Sequence, residues 1–269
     1  DSTFFKQEQA FSAAVLVEET EPPGSFTAHS EEQDVTEATP ISANKVTYTV
    51  VNYKRNLPIS REFKRDDQHN AVMKKVAQLG QRAKLSRDKF AFRSSYGDAF
   101  SGVTTADGVA AISNSHIALD GTTVDNLETG VLNADNLFTL IRSLRLQYAQ
   151  DGELGGHTAA GLLVPVNLHP DAREITDSEL KPGFADNEIN YISKVYPGLV
   201  VGASAFLDST FNTLNSNANT SHFVVSRNHS VSRWDREGLF TDLVDWRFDS
   251  KDRWIYKARF SEVVGIPTW

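Results

Sequence analysis

The run Thr105-Ala106-Asp107-Gly108-Val109-Ala110-Ala111-Ile112-Ser113-Asn114-Ser115-His116 decides how this chain reads. Asp-Gly marks a tight turn, because Asp bonds its own backbone and Gly takes positive φ without a steric penalty. A short apolar stretch follows, then a polar step that closes on His116. Two readings of the acid and the imidazole are open. Asp107 and His116 form an orienting acid and a base, or Asp107 serves the turn while His116 bonds nearby backbone. The second is preferred, because no nucleophile motif accompanies the first.

Working outward, the C-terminal stretch carries the clearest strand pattern. Trp254, Tyr256, Ala258 and Phe260 alternate with Ile255, Lys257 and Arg259, a period of two. Asp249-Ser250-Lys251-Asp252 is a turn signal before it. Trp246, Phe248, Trp254 and Tyr256 are therefore expected on paired antiparallel strands, formed by Asp242–Phe248 and Trp254–Phe260. All four Trp (234, 246, 254 and 269) fall in the last 36 residues, which suits core and subunit-contact packing better than a ligand platform.

Upstream, Val72, Val76, Leu79, Ala83 and Phe90 make a stripe of helical period. The spacing predicts a helix from about Asp67 to Phe92, roughly 40 Å long at ~1.5 Å per residue. Asp66 and Asp67 suit its cap and first turn. Gly80 within it predicts close packing or a bend. A second helix presents Leu137, Ile141, Leu144 and Tyr148, capped by Asn133 and ended by Asp151-Gly152; Gly152–Gly161 reads as a flexible loop. Leu162-Leu163-Val164-Pro165 is a short buried strand. Leu168–Ser178 is a third helix with Ala172 and Ile175 inward, and Gly198–Ala203 and His222–Ser226 are further strands. Lys45–Tyr53 reads as a strand and a weaker extended piece ends at Leu57-Pro58-Ile59, together predicting a long, poorly anchored hairpin or arm. Helices and strands are segregated, so the fold class is α+β.

Composition excludes several functions. Of 269 residues 40% are hydrophobic, enough for a core. Cys is absent, which removes disulfide and thiolate chemistry and fits a reducing cytosol. No apolar run approaches the ~18–20 residues of a membrane span, and the N-terminus lacks a basic secretion signal. The only Met is Met73, so Asp1 reads as a processed or incomplete front end. Net charge is −8, against direct coating of DNA, which takes many cations.

The charge is split. Residues 1–37 hold nine acids against Lys6, while residues 54–93 hold twelve bases against four acids. Blocks of opposite sign are either two solvated faces or surfaces that cover each other, within a chain or between copies. On the second reading Glu18, Glu19, Glu31 and Glu32 face Lys64, Arg65, Lys74, Lys75, Arg82, Lys84 and Arg87 of a neighbour. Residues from Glu18 to about Pro40, broken by Pro22-Pro23-Gly24, cannot bury enough surface to fold alone and need a partner or stay disordered.

Motifs for chemistry are missing. Gly152-x-x-Gly155-Gly156 is no phosphate cradle, and the seven His show no metal-ligand spacing. Gly202-Ala-Ser204-Ala-Phe206 lacks the second Gly of a nucleophile elbow, so Ser204 reads as a small residue at a packed strand end. No catalytic residue, cofactor or metal is assigned.

The Asp107–His116 run, Ile59-Ser60-Arg61-Glu62-Phe63 with Asp66-Asp67, Leu163-Val164-Pro165…Ala172, Asn187-x-Ile189-Asn190 and the Trp246–Phe260 hairpin occur in an order that resembles tailed-phage major capsid proteins with the Hong Kong 97 phage fold. The resemblance covers the chain from about Tyr53 onward. It implies an N-terminal arm (1–19), an extended loop (20–58), a spine helix (60–93), a discontinuous peripheral domain (94–145 and 232–269) and an axial domain (146–231). The acidic 18–37 stretch aligns with nothing in the family and takes its place by position. The resemblance also implies a self-assembling subunit, in pentamers and hexamers of an icosahedral head. That head encloses double-stranded DNA without reading its sequence, is built in the host cytoplasm, and has portal, scaffold or decoration proteins as further partners. Family members often lose an N-terminal segment to a maturation protease, which is a second account of Asp1. Two rivals stand beside this: an encapsulin-type compartment enclosing protein, and a hydrolase with a scattered triad.

Overall fold

The computed structural model describes residues 3–20, 42–67, 70–182, 188–249 and 251–269. Two sheets organise it. The larger is four-stranded, in the order β1 (Lys6–Gln9), β10 (Ser232–Val244), β11 (Arg253–Gly265), β4 (Val51–Ser60). Strand β1 runs parallel to β10, and the other pairs are antiparallel. The smaller is three-stranded: β7 (Ala159–Pro165) lies between β8 (Val200–Ser204), parallel to it, and β9 (Phe223–Ser226), antiparallel. Two small antiparallel ladders complete the strands, β2 (Ala14–Thr20) with β3 (Ser42–Thr49) and β5 (His116–Ile117) with β6 (Thr123–Val124).

The apolar run in β7 is explained by burial on both faces. Leu162 and Val164 point into one core with Leu137 and Ile141 of helix α3 (Ala134–Leu146), Ala172 and Ile175 of α4 (His169–Asp177) and Ile192 of α5 (Tyr191–Val195). Leu163 points the other way, into a core with Phe4, Phe5, Tyr96, Phe223 and Val225. Phe4 leaves no room for side chains beneath it: a Cβ on Gly161 or Gly202 would stand 2.8 or 2.5 Å from its ring. The N-terminal segment is therefore part of the fold's core. Leu137 and Ile141 of α3 and Ala172 and Ile175 of α4 are buried as expected, but Leu144 is only half-buried and Tyr148 lies beyond the end of α3, 46% exposed; Asn133 Oδ1 accepts from Asn136 N–H at 2.8 Å as a cap. Helix α3 stops at Leu146, before Asp151-Gly152, and Ala159-Ala160-Gly161 belongs to β7 rather than to a loop.

The helical stretch from residue 61 is broken. Helix α1 (Arg61–Arg65) is separated from α2 (Ala71–Arg93), whose 23 residues span about 35 Å. Asn70 takes positive φ at the junction, and Asp67 reaches over it, its carboxylate accepting from Ala71 N–H at 2.8 Å and Val72 N–H at 3.0 Å. Asp67 thus caps, as its charge suggests, but from outside the helix. At Gly80 a Cβ would meet nothing within 4 Å among the described residues, so no close packing by them explains that glycine.

Three strand expectations need correction. The pieces Lys45–Tyr53 and Leu57–Ile59 do not form a hairpin together: β3 pairs with β2, while β4 is anchored along β11, with Ile59 buried. Strand β10 starts ten residues earlier than Asp242 and ends at Val244; Trp246–Phe248 is a 3₁₀ turn, and Phe248 is 84% exposed. Trp254 and Tyr256 do lie on β11, half-buried rather than in the core.

Candidate subunit interface

Helix α2 presents two unlike sides. Val72, Ala83 and Ala91 are its buried residues, whereas Lys74, Lys75, Arg82 and Lys84 are exposed. Among the described residues, no carboxylate lies within 4 Å of Lys74, Arg82 or Lys84, and all three are exposed. Lys75 Nζ stands 4.7 Å from the Phe63 ring centroid and Lys64 Nζ 3.6 Å from that of Trp254, so both stems cover aromatic surface with their charges still at the edge. Arg65 is exposed and bonds Asp66 at 3.0 Å.

Arg87 does not belong with them. It points toward the large sheet, where Nη2 donates to both Asp235 oxygens at 2.8 Å and Nε donates to Glu262 at 3.0 Å. Arg233 donates to the same Glu262 oxygen from Nε at 2.9 Å and from Nη2 at 2.5 Å. Burial works against the Arg87 charge, and the bonds to Asp235 and Glu262 outweigh it, holding the guanidinium above its ordinary range. This network pins α2 to β10 and β11, and removes Arg87 from the groups a neighbour could meet.

The acids divide similarly. Glu18 pairs with Lys45 across the β2–β3 ladder at 3.2 Å. Glu19 is 3% exposed and is held within the chain, with Asn44 donating at 3.1 Å and Gln150 Nε2 donating to its other oxygen. Neither is free for a neighbour. Glu31 and Glu32 lie outside the described residues.

The pair at the centre of the opening run is formed. His116 Nδ1 stands 2.7 Å from Asp107 Oδ2, where a backbone partner was expected. Asp107 also serves the turn, its Oδ1 accepting from Val109 N–H at 3.1 Å and from the Thr105 hydroxyl, with Gly108 at φ 81. One carboxylate thus does both jobs, which a single-role reading of the motif misses. Burial works against the Asp107 charge, but the bonds from Thr105, His116 and Val109 hold the carboxyl below its usual range. Among the described residues His116 Nε2 is buried with no hydrogen-bond partner. Ser204 is a buried strand end whose Oγ accepts from Phe206 N–H at 3.3 Å. A cleft of about 610 Å³, lined by Leu127, Leu144, His157, His222 and Trp269 among others, contains none of Asp107, His116 and Ser204. Among the described residues no group of three His, Asp or Glu is arranged to hold a metal ion, and no helix is long and apolar enough to cross a membrane.

Solved structures resemble this arrangement over three quarters of the chain or more. The capsid of an empty GTA particle matches with a TM-score of 0.60 at 12% identity, covering 98% of this chain and 84% of that one. A chain of Mycobacterium phage Adephagia matches at 0.54 and 12%, covering 98% and 87%. The capsid of bacteriophage JBD30, decorated with minor capsid protein trimers, matches at 0.55 and 12%, covering 76% and 89%. No curated protein matches by sequence. The likenesses show a Hong Kong 97-type α+β fold. A family model described as phage capsid protein matches residues 43–268, and the chain belongs to that family, as a major capsid protein forming the head shell.

Proposed function

We propose that this subunit assembles as pentamers and hexamers of an icosahedral head that encloses double-stranded DNA without sequence-specific contacts, and that it does so without catalysis. Assembly takes place in the host cytoplasm, with portal, scaffold or decoration proteins as further partners. Residues 1–19 serve as arm, 20–58 as extended loop, 60–93 as spine, 94–145 with 232–269 as peripheral domain and 146–231 as axial domain.

The observation that carries this reading is the exposed cationic side of α2. Lys74, Arg82 and Lys84 have no acidic partner among the described residues, in a family whose members build shells. A neighbouring copy supplies the opposite charge from the acidic segment that holds Glu31 and Glu32. Negative-stain microscopy of the purified chain, followed by nuclease treatment and extraction, tests the whole reading. Closed particles with nuclease-protected double-stranded DNA are expected from infected cells. Particles filled with protein support a compartment instead, and a persistent monomer of about 30 kDa at high concentration overturns the reading.

A further inference from the structure

The Thr20–Ser42 end of the β2–β3 ladder is held by polar groups that a core ordinarily excludes. Glu19 on β2 receives Asn44 from β3 and Gln150 from the body of the chain, and Gln150 is fixed in turn by accepting from Leu119 N–H at 3.2 Å. Beside it lies the Asp107–His116 pair, with His116 fully buried and its ring stacked on Trp269 at 5.6 Å between centroids. Two carboxyls and one imidazole therefore share a place out of water. The remaining charged groups nearby are already engaged: Glu18 with Lys45 on the hairpin, and Asp120 with Thr122 on the β5–β6 turn. Among the described residues no Lys or Arg lies within 4 Å of Glu19 or Asp107. The imidazole can supply one positive charge at most, and Asp107 holds it. Glu19 is left with amide donors alone, which do not compensate a buried carboxylate as a counter-charge would.

We propose that Glu19 is a proton-operated latch at the Thr20–Ser42 end of the β2–β3 ladder, docking β2–β3 against Gln150 when neutral and loosening it when ionised. The neutral acid still accepts from Gln150 through its carbonyl oxygen, and its hydroxyl donates to the Asn44 amide once that amide turns its oxygen inward. Burial pushes the Glu19 carboxyl up, the Asn44 bond opposes this, and the Asp107 charge adds to the rise. A raised folded value means that the docking contribution is complete below the ordinary carboxyl range and is lost as pH climbs through the raised value. The Asp107 contribution has the opposite sign: it is complete above the ordinary carboxyl range and is lost as pH falls through that group's lowered value. The hairpin is tightest between the two.

Hydrogen-exchange protection factors, corrected for intrinsic rates, test this on the full chain for the Val15–Glu19 and Val46–Tyr48 amides. As pH rises from the ordinary carboxyl range through the raised Glu19 value, protection is expected to fall about fivefold or more, within the tenfold per pH unit that one proton allows. Glu19→Gln should flatten the profile, and Glu18→Gln should leave it as in the wild type. Asp107→Asn, which removes the neighbouring charge, should move the midpoint to lower pH. A flat wild-type profile, a Glu19→Gln variant that keeps the slope, or an unmoved midpoint in Asp107→Asn overturns the latch.

Discussion

Arg87 sits four residues after Ala83 and four before Ala91, on the buried side of α2, and that position decides its partners. With Glu262 2% exposed and Arg87 itself 21%, the pair is more than a surface bridge. Removing one member of a buried pair costs ~3–5 kcal/mol when nothing else compensates. Here Arg233 remains on Glu262, so Arg87→Ala is expected to cost about 2–3 kcal/mol, read as a lower denaturation midpoint of the isolated subunit. Arg87→Lys should recover only part, since an ammonium cannot fork to Asp235 and Glu262 together. An unchanged midpoint in Arg87→Ala would show that the network contributes nothing net. Trp254 teaches the same lesson in reverse. Its aromatic size suggests a core residue worth ~3–5 kcal/mol on truncation, but its half-buried ring under Lys64 points to about 1–2 kcal/mol for Trp254→Ala. Thermal melts separate the two ranges, because each kcal/mol moves the midpoint by about 2–4 °C in a chain of this size. Residue roles were legible where periodicity marks a side of an element. They were hidden where one side chain, such as Asp107, serves two partners.

At the scale of elements, the legible parts are those whose cause is local. Helix α3 has its cap and its Leu137–Ile141 stripe, β7 its unbroken apolar run, and the Ser204 strand end its small residues. Strand pairing is different. β4 reads as a weakly anchored arm because the partner that anchors it, β11, begins nearly two hundred residues later, and Pro58 removes a donor that only an edge strand can spare. Likewise β10 is half invisible, since Arg233, Asp235 and Glu237 interrupt its pattern for reasons that lie on α2 and β11. Gly80 gives an element-scale prediction. With no atom of the described residues within 4 Å of its would-be Cβ, none of them opposes a methyl group. Gly80→Ala should therefore stabilise the isolated subunit by about 1 kcal/mol, through higher helix propensity and a less disordered unfolded chain. Stabilisation with normal shell yield would mark the glycine as incidental. Stabilisation with failed assembly would show that a neighbouring copy packs against that turn.

For the whole molecule the opposed charge blocks remain the feature that a single chain does not resolve, and the structure narrows which groups can act between copies. Glu18 and Arg65 already have partners on their own chain, and Glu19 and Arg87 are held inside it. Reversing Glu19 to Lys would bury a cation and damage the Thr20–Ser42 end of the β2–β3 ladder, so it cannot report on assembly. The informative set is Glu21, Glu31, Glu32 and Glu37 against Lys74, Lys75, Arg82 and Lys84. Single exposed pairs contribute only about 0–1 kcal/mol, so the effect must come from many pairs repeated around a shell and partly desolvated there. Lysine at those four acids is expected to impair shell formation at ~0.1 M salt, where the Debye length is ~10 Å, while circular dichroism of the isolated subunit stays unchanged. The defect should shrink toward 1 M salt, where screening shortens to ~3 Å and the wild type loses the same attraction. Acids placed at Lys74, Lys75 and Lys84 in the same chain should restore assembly, because reversal of both partners re-creates the match between copies. If the four reversals assemble as the wild type does at low salt, the cationic side of α2 faces solvent or another partner, and the acidic segment has no part in joining subunits.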